Sequence, residues 1–150
     1  MLSRFLLLAA LVAPAATARL SPLDVTFDQL ASHPQHYSEK RVAVIAYYDI
    51  DSAEHSSYLA SRLNTEFSDL PHIFVDLPKW ISNAQAHSAA KHRVRVVGTF
   101  EYRDSSKRKV ISEGDATHRA IIQTTLGFGW MGIYDKRITK LSEFKVVREE

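Results

Sequence analysis

The sequence predicts a mainly β domain with one helix in its middle, and three stretches of the chain carry this prediction. Residues 41–49 (RVAVIAYYD) are mostly apolar and β-branched on both faces, as in a strand that is buried on two sides or closed into a barrel. Residues 72–77 (HIFVDL) lie between two prolines and form a short strand pattern. Residues 92–103 (HRVRVVGTFEYR) alternate basic and valine side chains, and Gly98 within them predicts a bulge or a bend.

The start of the chain has the layout of a secretory signal peptide. Arg4 precedes an apolar stretch of about nine residues at 5–13, and a proline and an A-x-A pattern ending at Ala18 follow it. The apolar stretch is shorter than the roughly 20 residues that cross a bilayer core. We therefore expect a signal peptide over 1–18 and a single domain over 19–150, with no membrane contact after cleavage.

Net charge and cysteine content argue against several classes of partner and of catalytic chemistry. The chain has 19 Lys and Arg against 17 Asp and Glu, a formal charge of +2 that loss of Arg4 lowers by one, to +1. A nearly neutral domain argues against nucleic acid and anionic membrane surfaces as partners. The absence of cysteine from the sequence excludes disulfides, thiol catalysis and a thiolate zinc site. Because small exported eukaryotic domains usually carry disulfides, we expect a bacterial protein that is periplasmic or secreted.

A linker over 19–24 is predicted to lead into a short N-terminal helix. Thr26 can cap this helix, with Gln29 three residues later as its capping-box partner. Because the residue before a proline avoids helical conformation, the helix is expected to end at His33.

Residues 51–70 fit two structures. As a helix, they begin with Asp51 and Glu54 as a capping pair and place apolar residues four positions apart on one face. As a strand, residues 56–61 are extended and the rest forms a turn. Periodicity slightly favours the helix, whereas the resemblance described below favours a strand followed by a helical turn.

The second half of the chain has three further segments. Residues 79–91 are alanine-rich and predict a helix. Residues 104–125 form a polar excursion between strands, with a basic run at 107–109 and a stretch at 115–123 that fits a short helix. The β-branched residues of 137–147 predict a final strand.

The order of these elements matches a known barrel. Three strands, a helix and two strands are the order of the five-stranded OB barrel, whose helix lies between the third and fourth strands. We therefore predict a mainly β, five-stranded OB-like barrel with a helix between strands 3 and 4 and a short N-terminal helix. The strand at 41–49 is expected to pair with strands from the middle and the end of the chain, and the helix at 79–91 to close one barrel end.

A series of short patterns runs through most of residues 26–146. They are Pro34-x-x-Tyr37-x-x-Lys40-x-Val42-x-Val44, Tyr58-Leu59, the stretch 73–77, Val94-x-Val96-x-Gly98-x-Phe100, Gly129-x-x-Gly132 and the strand pattern 138–141. In these patterns the chain resembles a group of small exported bacterial proteins of unknown function that are taken to be OB-fold-like. The resemblance implies the fold and the exported location, and it transfers no catalytic residue. Three features depart from the group: Glu39 replaces a common glycine, Trp130 replaces an expected histidine, and 104–125 is longer than usual.

Trp130 stands out among the aromatic residues. It lies between Gly129 and Gly132, in a segment that leads into the final strand near a loop through which OB folds often bind ligands. Trp130, Tyr134 and Phe128 are therefore the predicted ligand-binding residues. The residues Phe74, Trp80 and Phe100 are predicted to lie in the core.

The sequence also contains incomplete patterns for metal binding and for acid–base catalysis. His33 and His36 have the spacing of two metal ligands on a helix, but a proline lies between them and no carboxylate completes a set. No metal site and no cofactor are therefore predicted. Asp49, Asp51 and Glu54 cluster near a strand end, where a pair of carboxylates can do acid–base work.

These observations favour an exported, non-catalytic binding module for a protein, peptide or saccharide. The alternative is a carboxylate-dependent hydrolase or nuclease on the barrel rim. The hydrolase patterns G-x-S-x-G and H-E-x-x-H are absent from the sequence, and the preferred hypothesis assigns no catalytic residue.

Overall fold

The computed structural model describes residues 21–51, 56–63, 71–104, 109–113, 120–124, 127–129 and 134–148. Within these residues the elements are, in chain order, β1 (Leu23–Thr26), α1 (Phe27–Ser32), α2 (Pro34–Tyr37), β2 (Arg41–Asp51), β3 (Ser56–Ala60), β4 (Ile73–Val75), α3 (Asn83–Ala89), β5 (His92–Tyr102), β6 (Lys109–Glu113), β7 (Ala120–Thr124) and β8 (Lys136–Val146). The predicted signal peptide at 1–18 lies outside the described residues. No helix of the described part is long and apolar enough to cross a membrane.

Five strands close into a barrel. β2 pairs with β3, β3 with β4, β4 with β8, β8 with β5, and β5 returns to β2. The β4–β8 pair is parallel, and the other four pairs are antiparallel. Since α3 lies between the third and fourth barrel strands, the predicted OB-like architecture is confirmed. The expected pairing of the strand at 41–49 with the final strand is wrong, because β8 instead joins β4 to β5.

Alternation along the strands fills the barrel. On β2, Val42, Val44 and Tyr48 are buried in the core cluster, while Ile45 is exposed and Tyr47 is half-buried on the outer side. The other strands follow the same rule, and their largest fully buried side chains are Leu59, Ile73, Val75, Val94, Val96, Phe100 and Ile138. Phe100 therefore lies in the core, as predicted.

The N-terminal segment contains a strand that the sequence did not predict. Residues 23–24, predicted as linker, belong to β1, which pairs in parallel with Val42 to Ile45 of β2. This pairing uses the stretch of β2 that precedes its contact with β3, so it depends on a partner that local sequence does not reveal. The capping box of α1 is confirmed: Gln29 N donates to Thr26 Oγ1 (3.2 Å) and Thr26 N donates to Gln29 Oε1 (2.8 Å).

The central helix is shorter than predicted. It begins only after Ser82, whose Oγ accepts from Gln85 N at 3.2 Å while Ser82 N donates to Gln85 Oε1 at 2.8 Å. Residues 79–80 form a turn ahead of it, and Trp80 is 55 % exposed, so its predicted place in the core is wrong. The helix buries Ala86 and Ala89 in the core cluster and contacts both β2 and β5, so it packs against the barrel where these strands meet.

The strand interpretation of residues 56–61 is confirmed as far as residue 60, where β3 ends. The helical turn expected after it falls on residues 64–70, which lie outside the described residues. Gly98 also behaves as predicted, because the β5–β8 register shifts between Val97 and Thr99.

The long excursion forms strands of its own. β6 and β7 pair with each other in a separate two-stranded sheet. The short helix predicted over 115–123 is therefore wrong from residue 120 onward, and residues 115–119 lie outside the described part.

Glu39 has a backbone conformation that is unusual for a residue with a side chain. Its φ is 65°, in the left-handed region that favours glycine, and its N–H donates to Phe100 O at 2.7 Å. A glycine at this position would meet the backbone requirement without strain.

Candidate ligand-binding surface

A row of side chains crosses the outer face of β3, β4, β8 and β5. Their neighbours Leu59, Ile73 and Ile138 point into the core, so alternation directs Tyr58, Phe74 and Arg137 outward. The register pairs Tyr58 with Phe74, Phe74 with Arg137, and Arg137 with Glu101. Phe74 is half-buried on this face, and its predicted place in the core is wrong because Ile73 and Val75 occupy the inward positions.

The end of the β5–β8 connection packs onto this row. Phe128 and Tyr134 face each other in an isolated antiparallel bridge: Phe128 N donates to Tyr134 O at 2.7 Å, and Tyr134 N donates to Phe128 O at 3.2 Å. Arg103 N donates to Asp135 O at 2.8 Å and joins the base of the connection to the end of β5. The Tyr134 ring lies 5.4 Å from the Phe74 ring between centroids. We call Tyr58, Phe74, Glu101, Arg103, Phe128, Tyr134 and Arg137 the aromatic surface.

Gly129 makes the close packing at this base possible. Its φ is +73°, and a Cβ at that position would lie 2.7 Å from Tyr134 Cδ2 and 3.3 Å from Phe74 Cδ2. A larger residue would therefore displace Tyr134 and separate the connection from the barrel wall.

Two guanidinium groups contact one ring. The central carbons of Arg103 and Arg137 lie 4.4 and 4.3 Å from the centroid of Phe128, within the range of cation–π attraction. Arg137 Nη2 also donates to Glu101 Oε2 at 2.5 Å. Its Nε is buried and has no hydrogen-bond partner among the described residues. The side chain of Arg137 is thus held in place from two directions.

The structure brings together two of the three predicted binding residues. Phe128 and Tyr134 are only 4 % and 3 % exposed, so their rings support the base of the connection. Their direct contact with a ligand stays a prediction. Trp130, between them in the chain, lies outside the described residues. The other five members of the surface were not predicted as binding residues, since only strand register and ring contacts reveal them: Tyr58, Phe74, Glu101, Arg103 and Arg137.

A small polar pocket adjoins the row at Tyr58. Its volume is about 150 Å³, and Asp49, Tyr58, Arg62, His72 and Lys91 are among its lining residues. The rings of Tyr58 and His72 meet edge to face, 4.7 Å apart. Burial, followed by the charges of Asp49 and Asp51, raises the pKa of Tyr58, so this hydroxyl stays protonated at neutral pH.

The structure describes two of the three carboxylates that the sequence predicted for acid–base work. Asp49 and Asp51 lie two positions apart on β2, opposite Tyr58 and Ser56 of β3, and Asp49 Oδ1 accepts from Ile50 N at 2.9 Å. Glu54 falls outside the described residues. Within the described part, no group of three or more His, Cys, Asp or Glu is arranged to hold a metal ion.

Comparisons with known proteins add little beyond this geometry. No protein-family model matches the chain, and no curated protein matches it. One crystal structure matches with a TM-score of 0.42 and 13 % identity; its protein, from Leishmania major Friedlin, has been proposed to be an aspartyl-tRNA synthetase. The match covers 95 % of this chain and 23 % of that chain, so this chain spans about a quarter of its length.

Proposed function

We propose that this protein is a non-catalytic OB-fold binding module that captures a protein, peptide or saccharide on its aromatic surface. The observation that carries the proposal is the outward row of half-buried rings beside guanidinium groups, at the base of the long β5–β8 connection. OB folds bind their ligands on the corresponding strands and loops.

The chemistry of the surface favours these ligands over a phosphate backbone. Arg137, whose guanidinium group lies over the Phe128 ring, is paired with Glu101. Binding of single-stranded nucleic acid relies on a positively charged groove, and paired charges do not supply one. Aromatic and arginine side chains, in contrast, provide most of the binding energy at many protein interfaces.

We further propose that the protein works outside the bacterial cytoplasm, in the periplasm or as a secreted protein. The support is the signal-peptide pattern of residues 1–18. Mass spectrometry of exported material tests it: a mature chain that starts at or near Arg19 supports export, and a full-length chain in membranes contradicts it.

Capture experiments test the binding site. The purified protein is immobilised and exposed to a periplasmic extract, and bound material is compared between wild type, Phe74→Ala and Arg103→Ala. Lys79→Ala, which removes an exposed positive charge from the turn before α3, is the matched control. Because Phe74 and Arg103 belong to the surface, we expect both variants to capture less, while Lys79→Ala captures as much as wild type.

Thermal unfolding of each variant separates lost binding from lost folding. A variant that captures less while keeping a wild-type melting temperature has lost ligand contacts. Equal capture by wild type and both surface variants would contradict the proposed site.

A second candidate function is hydrolysis, favoured by the presence of Asp49, His72 and Tyr58 in one pocket. Asp49→Asn separates the two functions. An enzyme would lose turnover of a phosphodiester such as bis-p-nitrophenyl phosphate, whereas the binding module shows no turnover in either form and keeps its capture.

A further inference from the structure

A groove lies on another part of the barrel's outer face. It consists of two cavities of about 550 and 800 Å³ that share Ile45 and Arg95 among their lining residues. We call their combined surface the β2–β5 groove. It runs from β1 and the start of α1, over β2 and β5, to the end of β8, and none of the aromatic-surface residues lines it.

The strand register orders the side chains of this groove. Ile45 pairs with Arg95, Arg95 pairs with Lys145, and in the next row Tyr47 pairs with Arg93. Neighbouring strands are about 4.8 Å apart, and outward positions on one strand repeat about every 6.7 Å. The groove therefore presents a regular lattice of aliphatic, aromatic and cationic side chains.

Charges divide into paired and unpaired groups. Arg95 is paired on both sides, with Glu143 Oε2 at 2.8 Å from Nη1 and Asp24 Oδ1 at 3.7 Å from Nη2. The side chains of Arg93, Lys145 and Arg148 are exposed and have no ion-pair or hydrogen-bond partner among the described residues. The carboxylate of Asp28 is also exposed, lines the groove and has no ion-pair partner among the described residues, so three of the four unpaired charges are positive.

Apolar surface is exposed between these cations. Ile45 is 40 % exposed and Val146 is 37 % exposed, and both line the groove. Exposed aliphatic side chains bordered by unpaired charges that are mostly of one sign are typical of a protein interaction site.

We propose that the β2–β5 groove binds an extended acidic segment of a partner protein. In an extended chain, side chains on one face repeat at the spacing of the groove's own outward positions, so carboxylates can meet Arg93 and Lys145 while an apolar residue covers Ile45. Charge complementarity favours an acidic partner, because three of the four unpaired charged side chains that line the groove, those of Arg93, Lys145 and Arg148, are positive.

Nucleic acid fits the groove less well. Tyr47 is the partly exposed ring among the described lining residues, so the groove offers no row of rings for successive bases. Single-stranded nucleic acid is held by successive aromatic stacks along a continuous positive groove.

Fluorescence anisotropy with a defined probe tests this proposal. The probe is a fluorescein-labelled peptide of alternating glutamate and valine, titrated with the purified protein. Two further probes are the same peptide with glutamine in place of glutamate and a labelled oligothymidine of equal charge. We expect binding of the acidic peptide that weakens at least about tenfold when both Arg93→Glu and Lys145→Glu are introduced. Lys79→Glu changes the same type of charge outside the groove and should leave the affinity within about twofold of wild type.

Backbone NMR shifts of the wild-type protein locate the contact without any substitution. Perturbations at Ile45, Arg93 and Lys145 on addition of the acidic peptide support the groove. Absence of binding, equal affinity for the glutamine peptide, tighter binding of oligothymidine, or equal weakening by Lys79→Glu would each overturn the proposal. Because these residues are separate from the aromatic surface, their outcome is independent of the capture experiments on Phe74 and Arg103.

Discussion

Gly98→Ala is expected to destabilise the barrel at the point where β5 shifts register against β8. A Cβ at residue 98 would lie 2.7 Å from Ile138 Cγ2 and 2.7 Å from Thr139 O, whereas comfortable contacts between carbon atoms lie at about 3.5–4.0 Å. Ile138 is fully buried, and Thr139 O belongs to the backbone of β8, so neither neighbour can give way without disturbing the β5–β8 pairing. Overpacking of this kind costs about 1–3 kcal/mol in the free energy of unfolding.

For a domain of this length, that loss lowers the melting temperature by roughly 3–12 °C. Thermal unfolding followed by circular dichroism measures it. Thr99→Ala is the matched control, because Thr99 is half-buried on the same strand and its replacement creates no close contact; we expect a cost below about 1 kcal/mol for it. A Gly98→Ala variant that melts within a degree of wild type would refute the packing argument.

Three further changes have defined outcomes. Burial raises the pKa of Tyr48 above 10.0, so the neutral hydroxyl, which lies 2.9 Å from Ser57 Oγ, is favoured in the fold. The contribution of this neutral hydroxyl to the free energy of unfolding is complete below pH 10 and is lost as the pH rises through the pKa of Tyr48 in the folded protein. In urea unfolding between pH 8 and 11, the Tyr48→Phe variant should therefore lose stability less steeply than wild type. Glu39→Gly should raise the free energy of unfolding by up to about 1 kcal/mol, since glycine accepts φ 65° without strain; a lower melting temperature would contradict this. Trp130→Ala should abolish capture while leaving the melting temperature nearly unchanged, and a drop equivalent to about 3–5 kcal/mol would instead assign Trp130 to the core.

Local signals in the sequence were sufficient for several elements. A few neighbouring residues are enough to predict three of the strands: the apolar run of β2, the proline-bounded segment of β4 and the alternating residues of β5. The capping box likewise needs only two residues, Thr26 and Gln29, that lie three positions apart. The OB-like barrel also needs the strand at 56–61, for which periodicity slightly favoured a helix and only the resemblance favoured a strand.

Features that depend on distant partners could not be predicted in this way. β1 forms because β2 has an open edge, and Phe74 faces outward because its two neighbours fill the core. Trp80 lies in the segment 79–91 that was predicted as a helix, yet the capping box at Ser82 starts the helix after it. That serine and Gln85 three residues later form a pattern visible in the sequence, and it marks the true helix start.

The candidate surface likewise combines residues that the sequence indicated with contacts that only the fold creates. Phe128 and Tyr134 were selected for their place near the final strand, and the structure joins them in one bridge. Their burial and the two guanidinium contacts of Phe128 arise from register and from the close approach at Gly129. Sequence spacing carries no information about such contacts between distant segments.

Hydroxyl-radical footprinting of the protein with its captured ligand tests the binding-module account most directly, because it reports the exposure of individual side chains. Tyr58 and Phe74 of the aromatic surface should be oxidised more slowly in the complex than in the free protein, while the exposed Trp80 reacts at the same rate in both. Unchanged oxidation of Tyr58 and Phe74 in the complex would contradict the account and place the ligand elsewhere on the barrel.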